Sequence, residues 1–482
     1  MANPAGAPAR RRDPERLRVL LTNPWNGQAY CLLRALRGRA ARVVATRYRE
    51  HGLLGRLAPA AASRFVDAVY PVPLATDGWR RGAVEHETPR EAAFVRAILD
   101  ICEREAIDTV FPSWDPEVLA LARHRAAFAA RGITLPVADP AVLRATMDKL
   151  GIARLAAGHG VPGPRTCLPR DAGDAGELGR ALGFPLVVKP RFSSGGHGSR
   201  LATTPDALAR AIARLEPRYG MPIVQEWIPG GLDRRVNVYL ALDRAGRLVR
   251  SGGRRNTRAV FPAFASVTAA AVSHRDPELV ARLAALLRGL GYAGYATVQL
   301  KVDPRDGEAK LLEVNCRVGY RVWGEMAIGH DVAGVAIAIA RGEPVAPASP
   351  APDPVVFLNP VEDALALSVF VGGWAVRRLR RLRGAPDPGP GLRETVAAYR
   401  RDYGAPRRVV DWYFRALADD PLAALGWYAA HLVRIARLPK RGRVPGLPAR
   451  GAVGWAARAG SGADPAGPAV GRATGEGSGV RG

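Results

Sequence analysis

Residues 295–317 read YATVQLKVDPRDGEAKLLEVNCR and carry the strongest structural signal in the chain. Two runs of alternating apolar and polar residues flank the turn-forming segment Asp303–Gly307, and this arrangement predicts a β-hairpin. Centring the hairpin on Asp306 sets Gln299 opposite Glu313, at a Cβ separation of about 5 Å. These two side chains are therefore expected to lie together on one face of a sheet.

The second strand of this hairpin separates polar from apolar side chains, because successive residues point to opposite faces of a strand. We expect three side chains to enter the core: Leu312, Val314 and Cys316. Glu313, Asn315 and Arg317 then share the other face. Carboxylate and amide oxygens suit Mg²⁺, and a guanidinium is suited to neutralise a phosphoryl group. The alternative is a surface hairpin, whose polar face would more commonly carry lysines and threonines.

A glycine-rich loop follows an apolar strand at Phe184–Ser199, which reads FPLVVKPRFSSGGHGS. The strand ends at Lys189, whose ammonium could supply positive charge to a polyanion. The loop continues through Ser194, Gly195 and Gly196, small residues that let backbone N–H groups approach phosphates. The alternative interpretation is a glycine-rich hairpin with a solvent-facing lysine.

A third stretch, Ile223–Asp233, reads IVQEWIPGGLD. An apolar strand that runs into Glu226, Trp227 and Ile228 could present backbone donors and acceptors to an adenine edge, with apolar side chains over the ring. Asp233 could then accept hydrogen bonds from ribose hydroxyls. An ordinary buried strand that ends in a Pro-Gly turn would explain the same letters.

In their order and spacing, these stretches resemble the ATP-grasp superfamily, most closely its carbamoyl-phosphate-synthetase-like branch. The resemblance covers about Asp148–Arg321 in detail and the preceding region more loosely. It implies that ATP is bound by Lys149, Lys189, Ser194, Gly195, Gly196, Glu226, Trp227, Ile228 and Asp233. The implied magnesium ligands are Gln299, Glu313 and Asn315, and the implied catalytic residues are Arg317 and Lys189.

Two features of the chain leave details of this assignment open. Many family members carry an acid at the position of Gln299, although glutamine occurs there in this branch, so either one or two metal ions could bind. The arginine-rich stretch Gly252–Arg258 falls where the family often contacts a substrate carboxylate or phosphate. An exposed basic turn is the alternative for that stretch.

The resemblance implies an α/β N-terminal domain with a parallel sheet, of the type that precedes the ATP-grasp fold. An α+β ATP-grasp fold and a helical C-terminal extension would follow. Alternating strands and helices from Leu17 to about Pro140 independently predict the parallel sheet. We expect these divisions: a disordered N-terminus at 1–16, the α/β domain at 17–145, the two-lobed ATP-grasp domain at 146–344, a linker at 345–357, a helical region at 358–440 and a disordered tail at 441–482.

Bulk composition narrows the possible classes of protein. Lys and Arg number 70 against 44 Asp and Glu, a net charge of +26 that favours phosphate-rich partners. The basic residues lack interleaved aromatics or a recognised reading helix, so no specific nucleic acid is expected as a partner. The four cysteines have no zinc or dithiol spacing. With no secretion signal and no apolar run of about 20 residues, the expected location is cytoplasmic.

The resemblance implies an ATP-dependent ligase that forms a C–N bond. ATP, with Mg²⁺ or alternatively Mn²⁺, would activate a small-molecule carboxylate as an acyl phosphate, which an amine then attacks. A second hypothesis is a nucleotide-binding regulatory or scaffolding protein that lacks turnover, against which the intact pair Glu313 and Asn315 argues. A third, suggested by the charge alone, is a nucleic-acid-binding protein.

Basic amphipathic patterns occur in the C-terminal region, at Leu358–Leu382 and Pro421–Leu438. Such helices can lie on an anionic membrane surface, which would give a peripheral contact at the inner face of the membrane. The alternative is that they pack on the catalytic body with solvated arginines. Neither the oligomeric state nor the substrate follows from the sequence.

Overall fold

The N-terminal region folds as a parallel sheet covered by helices. The computed structural model describes residues 16–76, 84–193, 196–260, 268–319, 322–346, 354–381 and 391–437. The first elements are β1 (Leu17–Leu21), α1 (Gly27–Leu36), β2 (Ala40–Tyr48), α2 (Pro59–Ala62), β3 (Ala68–Val72), α3 (Pro89–Arg104), β4 (Thr109–Phe111), α4 (Asp115–Arg123), α5 (Arg125–Ala129) and α6 (Pro140–Met147). The strands run parallel in the order β3-β2-β1-β4. Parallel neighbours require crossover connections, which the helices supply, and the predicted α/β domain is confirmed.

A smaller antiparallel sheet follows in the chain. Its elements are α7 (Lys149–Gly158), β5 (Thr166–Cys167), α8 (Ala175–Leu182), β6 (Leu186–Lys189), β7 (Arg200–Ala202), α9 (Pro205–Tyr219) and β8 (Ile223–Glu226). The strand order is β5-β8-β6-β7. All four residues of β6 are buried, so Lys189 lies at the end of a buried strand in this smaller lobe.

A seven-stranded sheet forms the larger lobe, in the order β13-β12-β9-β10-β11-β14-β15 once its strands are numbered along the chain. Its elements are β9 (Arg235–Leu242), β10 (Leu248–Ala259), β11 (Thr268–Ser273), α10 (Pro277–Gly289), β12 (Gly294–Val302), β13 (Ala309–Asn315), α11 (Val322–Ala327), α12 (Val332–Arg341), β14 (Val356–Leu358), α13 (Pro360–Arg381), α14 (Leu392–Tyr403), β15 (Arg408–Val410), α15 (Trp412–Asp419) and α16 (Pro421–Arg437). Neighbouring strands are antiparallel, except that β14 and β15 are parallel. None of the helices described here has the length and apolar content that spanning a bilayer requires.

The predicted hairpin is present as β12 and β13, and Gln299 pairs with Glu313 as expected. One detail of its apolar face was wrong, because the register shifts between Gln299 and Leu300. Leu300 consequently pairs with Leu311, and Leu311 rather than Leu312 lies in the core. A bulge of this kind moves one residue to the other face of the strand.

The C-terminal region departs from the prediction of a linker followed only by helices. Strand β14 begins at Val356, inside the predicted linker 345–357, and pairs with β11. Strand β15 then pairs with β14 and extends the large sheet. Proline-rich residues precede the short apolar run VFL, and for this reason the sequence did not indicate a strand there. The predicted disordered segments fall mainly on 1–15 and 438–482, which lie outside the described residues.

Buried ion pairs attach this C-terminal region to the large sheet. Arg258 of β10 donates to Asp363 of α13 at 2.6 and 2.7 Å, and it also donates to Asp402 of α14. Arg254, on the same strand, donates to Glu325 of α11 at 3.1 Å. Both guanidinium groups are almost completely buried. The stretch Gly252–Arg258 is therefore part of a strand, and the alternative of an exposed basic turn is wrong.

The N-terminal domain and the large sheet share one core. Val118 and Leu119 of α4 and Leu143 of α6 pack in the same apolar cluster as Val298 and Leu300 of β12. Burial of such side chains contributes roughly 1.5–3 kcal/mol each. This shared core fixes the first turn of α4 beside the end of β13, where the polar face of the hairpin lies.

Candidate nucleotide and metal site

Two lysines from different elements converge on Glu313. Lys149 is the first residue of α7, and its Nζ lies 3.7 Å from Glu313 Oε2. Lys189 is the last residue of β6, and its Nζ donates to the Leu312 carbonyl at 3.4 Å. Asp148 holds the start of α7 in place, since its side chain caps the helix and also pairs with Arg191. Residues far apart in the sequence therefore meet at the polar face of β13.

Burial and mutual repulsion make this cluster electrostatically unusual. Burial, with Lys149 nearby, lowers the pKa of Lys189 to about 7. Burial alone would raise the pKa of the Glu313 carboxyl, but Lys149, Lys189 and Arg235 together outweigh it and hold that pKa below its usual range. Glu313 is therefore ionised at neutral pH, and the cluster contains more positive than negative groups.

Arg235, the first residue of β9, was missed by the sequence interpretation. Its Nε is screened from solvent and has no hydrogen-bond acceptor among the described residues. Burial lowers the pKa of its guanidinium, and Glu313 is the one group that opposes this effect. Arg235 pairs in register with Lys301 of β12. Arg235 could have been predicted by extending the polar face of β12 to the strand beside it. The sequence alone, however, does not show which strand pairs with β12 on that side.

The predicted metal ligands form a continuous polar row across two strands. Gln299 lies opposite Glu313, and its neighbour on the other side is Asn237 of β9. Asn315 donates to Glu313 Oε1 at 3.5 Å. No cluster of three or more His, Cys, Asp or Glu residues suited to a metal occurs in the described parts of the chain. One ionised carboxylate with amide oxygens fits Mg²⁺, which takes its remaining ligands from water and phosphates.

Arg317 lies beside this row but is paired with the N-terminal domain. Its Nε lies 2.9 Å from Asp115 Oδ1, in the first turn of α4, and its Nη2 lies 3.3 Å from Asn315 Oδ1. Both partners in the ion pair are largely buried. Sequence reasoning did not anticipate Asp115, because the contact spans 202 residues of chain. The pair orients the guanidinium and offsets part of its charge.

The predicted adenine hinge begins at Glu226, the last residue of β8. The carboxylate of Glu226 accepts from Arg165 Nε at 3.0 Å, so this side chain is engaged within the lobe. The Trp227 N–H donates to the Pro185 carbonyl at 3.3 Å. The Ile228 N–H has no hydrogen-bond acceptor among the described residues. This buried donor therefore remains available at the point where the sequence predicts adenine.

Lys301 of β12 contacts the hinge and was also missed by the sequence interpretation. Its Nζ donates to the Ile228 carbonyl at 2.7 Å and to the Gly230 carbonyl at 2.8 Å. The same ammonium lies 4.3 Å from the centre of the Trp227 ring. Burial, reinforced by the neighbouring Arg235, lowers the pKa of Lys301 to about 7.

Gly196 and Asp233 are the remaining predicted residues that the structure describes. Ser194 and Gly195 lie outside the described residues. Gly196 is exposed and adopts φ of 75°, a conformation that favours glycine. Asp233 is half-buried in a short 3₁₀ turn, Leu232–Arg234, next to β9. Its charge acts on Lys301, which places it on the hinge side of the cleft.

Two protein-family models match the chain. Residues 148–347 match the model described as carbamoyl-phosphate synthase L chain, ATP binding domain. Residues 87–136 match the model described as PylC-like, N-terminal domain. The first match covers the smaller sheet and β9 to α12 of the large lobe, and the second covers α3 to α5 of the parallel-sheet domain.

Known proteins with similar sequences include two enzymes of different length. A biotin carboxylase of Allochromatium vinosum is 27% identical over 224 residues, 43% of this chain and 48% of that protein. The carbamoyl phosphate synthase large chain of Methanoculleus marisnigri is 28% identical over 191 residues, 38% of this chain and 18% of that protein. This chain thus matches less than half the length of these relatives.

A solved structure shares the fold of most of the chain. The biotin carboxylase–β,γ-ATP complex from Campylobacter jejuni superposes with a TM-score of 0.54 and 17% identity, covering 70% of this chain and 73% of that one. The two family models match in the same order along the chain as the parallel-sheet domain and the region that carries β13. Residues 148–347 thus match an ATP-binding domain of the ATP-grasp type, on the carbamoyl-phosphate-synthetase-like branch that the sequence resembles.

Proposed function

We propose that the protein is an ATP-dependent ligase that activates a small-molecule carboxylate as an acyl phosphate and joins it to an amine. The observation that carries the proposal is the convergence of buried positive groups on Glu313. Lys149, Lys189 and Arg235 all act on this one carboxylate, so the cluster has excess positive charge. A bound polyanion such as a nucleoside triphosphate would offset that charge.

The proposed nucleotide contacts divide between the two lobes. The Ile228 N–H would donate to the adenine edge, with Trp227 over or beside the ring and Glu226 at the start of the hinge. Asp233 would accept from the ribose. Lys149 and Lys189 would contact the phosphates, together with the loop that contains Ser194, Gly195 and Gly196.

The residues of the polar row fit a divalent ion. Glu313, Asn315 and Gln299 would hold Mg²⁺, for which Mn²⁺ would be an acceptable substitute because it prefers the same oxygen donors. The ion, when bound, would neutralise charge on the phosphate oxygens.

In the proposed reaction a carboxylate oxygen attacks the γ-phosphorus, and ADP leaves. Arg317 would stabilise the transferring phosphoryl group, with Asp115 holding the guanidinium in orientation. Lys189 would act as the second catalytic cation. The amine then attacks the acyl carbon, phosphate leaves, and the amine nitrogen loses a proton to give the amide.

Trapping the acyl phosphate tests this proposal. The full-length protein would be incubated with MgATP, hydroxylamine and pools of small carboxylic acids, and hydroxamate and phosphate would be measured together. We expect at least one pool to give hydroxamate in equal amount to phosphate. Glu313→Gln, which removes the charged ligand, provides the inactive control. MgATP binding without phosphate release in every pool would favour a regulatory nucleotide-binding protein, and absence of MgATP binding would contradict the proposal.

We also propose a cytoplasmic protein that makes a peripheral contact with the inner face of a membrane. The support is a set of exposed leucines on two elements that touch. Leu422 and Leu425 of α16 are 65% and 58% exposed, and Leu53 and Leu54 of a 3₁₀ segment, Arg49–Leu57, are 79% and 66% exposed. The two elements touch where Gly426 meets the Leu57 backbone. Exposed leucines in a strongly basic protein suit an anionic lipid surface.

Vesicle sedimentation tests the membrane proposal. We expect binding to vesicles that contain phosphatidylglycerol, weaker binding to phosphatidylcholine alone, and at least a tenfold loss in Leu422→Ser/Leu425→Ser. Leu168→Ser, an exposed leucine on the small lobe, serves as the matched control. Equal binding of all variants to both vesicles, or no binding at all, would contradict the proposal.

A further inference from the structure

We infer that Lys301 is a positioning residue that holds the adenine hinge in its binding conformation. The inference rests on the proposed nucleotide site and names a residue outside the predicted ligand set. Lys301 contacts three parts of the hinge, namely the Trp227 ring and the carbonyls of Ile228 and Gly230. A single ammonium with three N–H donors can serve all three contacts at once.

The position of Lys301 in the sheet explains how it reaches the hinge. It lies in β12, two residues after Gln299, so both side chains point to the same face of the strand. Its partner in β9 is Arg235, the residue directly after the 3₁₀ turn that closes the hinge. Strand β12, which is paired on both sides, thus supports the hinge from the large lobe.

The adjacent Lys310 shows that these contacts are specific to Lys301. Lys310 is paired in register with Lys301 on β13. It forms ion pairs with Asp303 at 2.9 Å and Asp306 at 2.7 Å, within its own hairpin. Lys301 makes no such ion pair among the described residues and directs its hydrogen bonds to the hinge carbonyls. A buried ammonium is costly unless its donors are satisfied, and here the hinge satisfies them.

The contact with Ile228 bears directly on the free hinge donor. Pro229 follows Ile228 and already restricts its backbone to the extended region. The hydrogen bond from Lys301 holds the Ile228 carbonyl in one orientation. Together with the hydrogen bond from the Trp227 N–H to the Pro185 carbonyl, it restrains the backbone on both sides of the Ile228 N–H before any base binds. Such preorganisation increases affinity for the base without adding a contact to it.

Comparing ATP with a ligand that lacks the base tests this inference. The full-length wild type, Lys301→Met and Lys310→Met would be titrated with MgATP and with magnesium tripolyphosphate, with thermal unfolding recorded for each variant. We expect Lys301→Met to weaken MgATP binding at least tenfold and tripolyphosphate binding by less than twofold. Lys310→Met should leave both affinities within twofold of wild type, because that lysine does not touch the hinge.

The outcomes separate this inference from the proposed function. A wild type that binds no MgATP would overturn both. A wild type that binds MgATP, with Lys301→Met within twofold of it, would overturn only the role of Lys301. Equal weakening of MgATP and tripolyphosphate would also overturn it, because that result would mean a charge effect on the phosphates. If Lys301→Met does not fold, Lys301→Gln provides the same test, with at least a threefold loss expected for MgATP alone.

Discussion

Replacing Lys189 by methionine is expected to stabilise the nucleotide-free protein at neutral pH while it removes most of the affinity for ATP. The ammonium of Lys189 is buried, donates one long hydrogen bond to the Leu312 carbonyl, and lies near the like charge of Lys149. Methionine has a similar length and no charge, so it would fill the same space without these costs.

The magnitude follows from the pKa of Lys189, which burial lowers from 10.5 to about 7. That change corresponds to roughly 4–5 kcal/mol against folding at pH 7. Losing the hydrogen bond to the Leu312 carbonyl offsets about 1 kcal/mol of this gain, and the attraction to Glu313 is already included in the lowered pKa. The free energy of unfolding of Lys189→Met should therefore exceed that of wild type by about 3–4 kcal/mol.

The pH dependence of this difference provides a sharper test than its size at one pH. The unfolded lysine takes up its proton near pH 10.5, whereas the folded one does so near 7. Wild type therefore loses stability relative to the variant as the pH falls from 10.5 to 7, and the difference is constant below 7. Above pH 10.5 the advantage of the variant disappears.

Urea unfolding at a series of pH values, with and without MgATP, measures both effects. Lys310→Met is the matched control, because Lys310 is paired with Asp306 and Asp303 and its pKa is raised. That variant should lose about 1–2 kcal/mol. MgATP should stabilise wild type and not Lys189→Met. A Lys189→Met variant less stable than wild type at pH 7, or a stability difference independent of pH, would refute the reasoning.

Three further substitutions probe other parts of the site. Glu313→Gln should reduce phosphate release at saturating MgATP by at least ~100-fold, since it removes the one carboxylate of the metal row; activity within tenfold of wild type would exclude the assigned role. Asp115→Asn should lower the free energy of unfolding by about 3–5 kcal/mol, because it leaves the buried Arg317 charge uncompensated, and a change below 1 kcal/mol in urea unfolding would contradict this. Burial raises the pKa of Glu117 from 4.5 to about 7. The free energy of unfolding of wild type should therefore fall by about 3 kcal/mol relative to Glu117→Gln as the pH rises from 4.5 to 7, with no further change above 7. A stability difference in urea unfolding that does not change with pH would count against this.

Local patterns in the sequence were sufficient for the elements that depend on neighbours in the chain. Strand alternation and a turn centred on Asp306 predicted the pairing of Gln299 with Glu313, and the structure has that pairing. The strand that carries Lys189 was likewise visible as a short apolar run. The roles assigned to these residues remain predictions, because they rest on resemblance to a family.

Errors occurred where a distant segment decided the outcome. The shift that places Leu311 in the core depends on how β12 fits between β13 and β9. Strand β14 was mistaken for linker because three residues carry too little pattern to predict a strand without their partner β11. The burial of Arg258 was not predicted, because its acid partners, in α13 and α14, follow more than 100 residues later.

The sequence by itself determined which residues bring charge and oxygen donors to the hairpin, because side-chain alternation is a property of a single strand. Only the tertiary structure decided that Arg235, Lys301 and Asp115 join them, since strand order and the packing of α4 set those distances. A buried charge is tolerated only where other parts of the chain supply its partners. The folded arrangement fixes those partners, and no periodic pattern in the sequence indicates them.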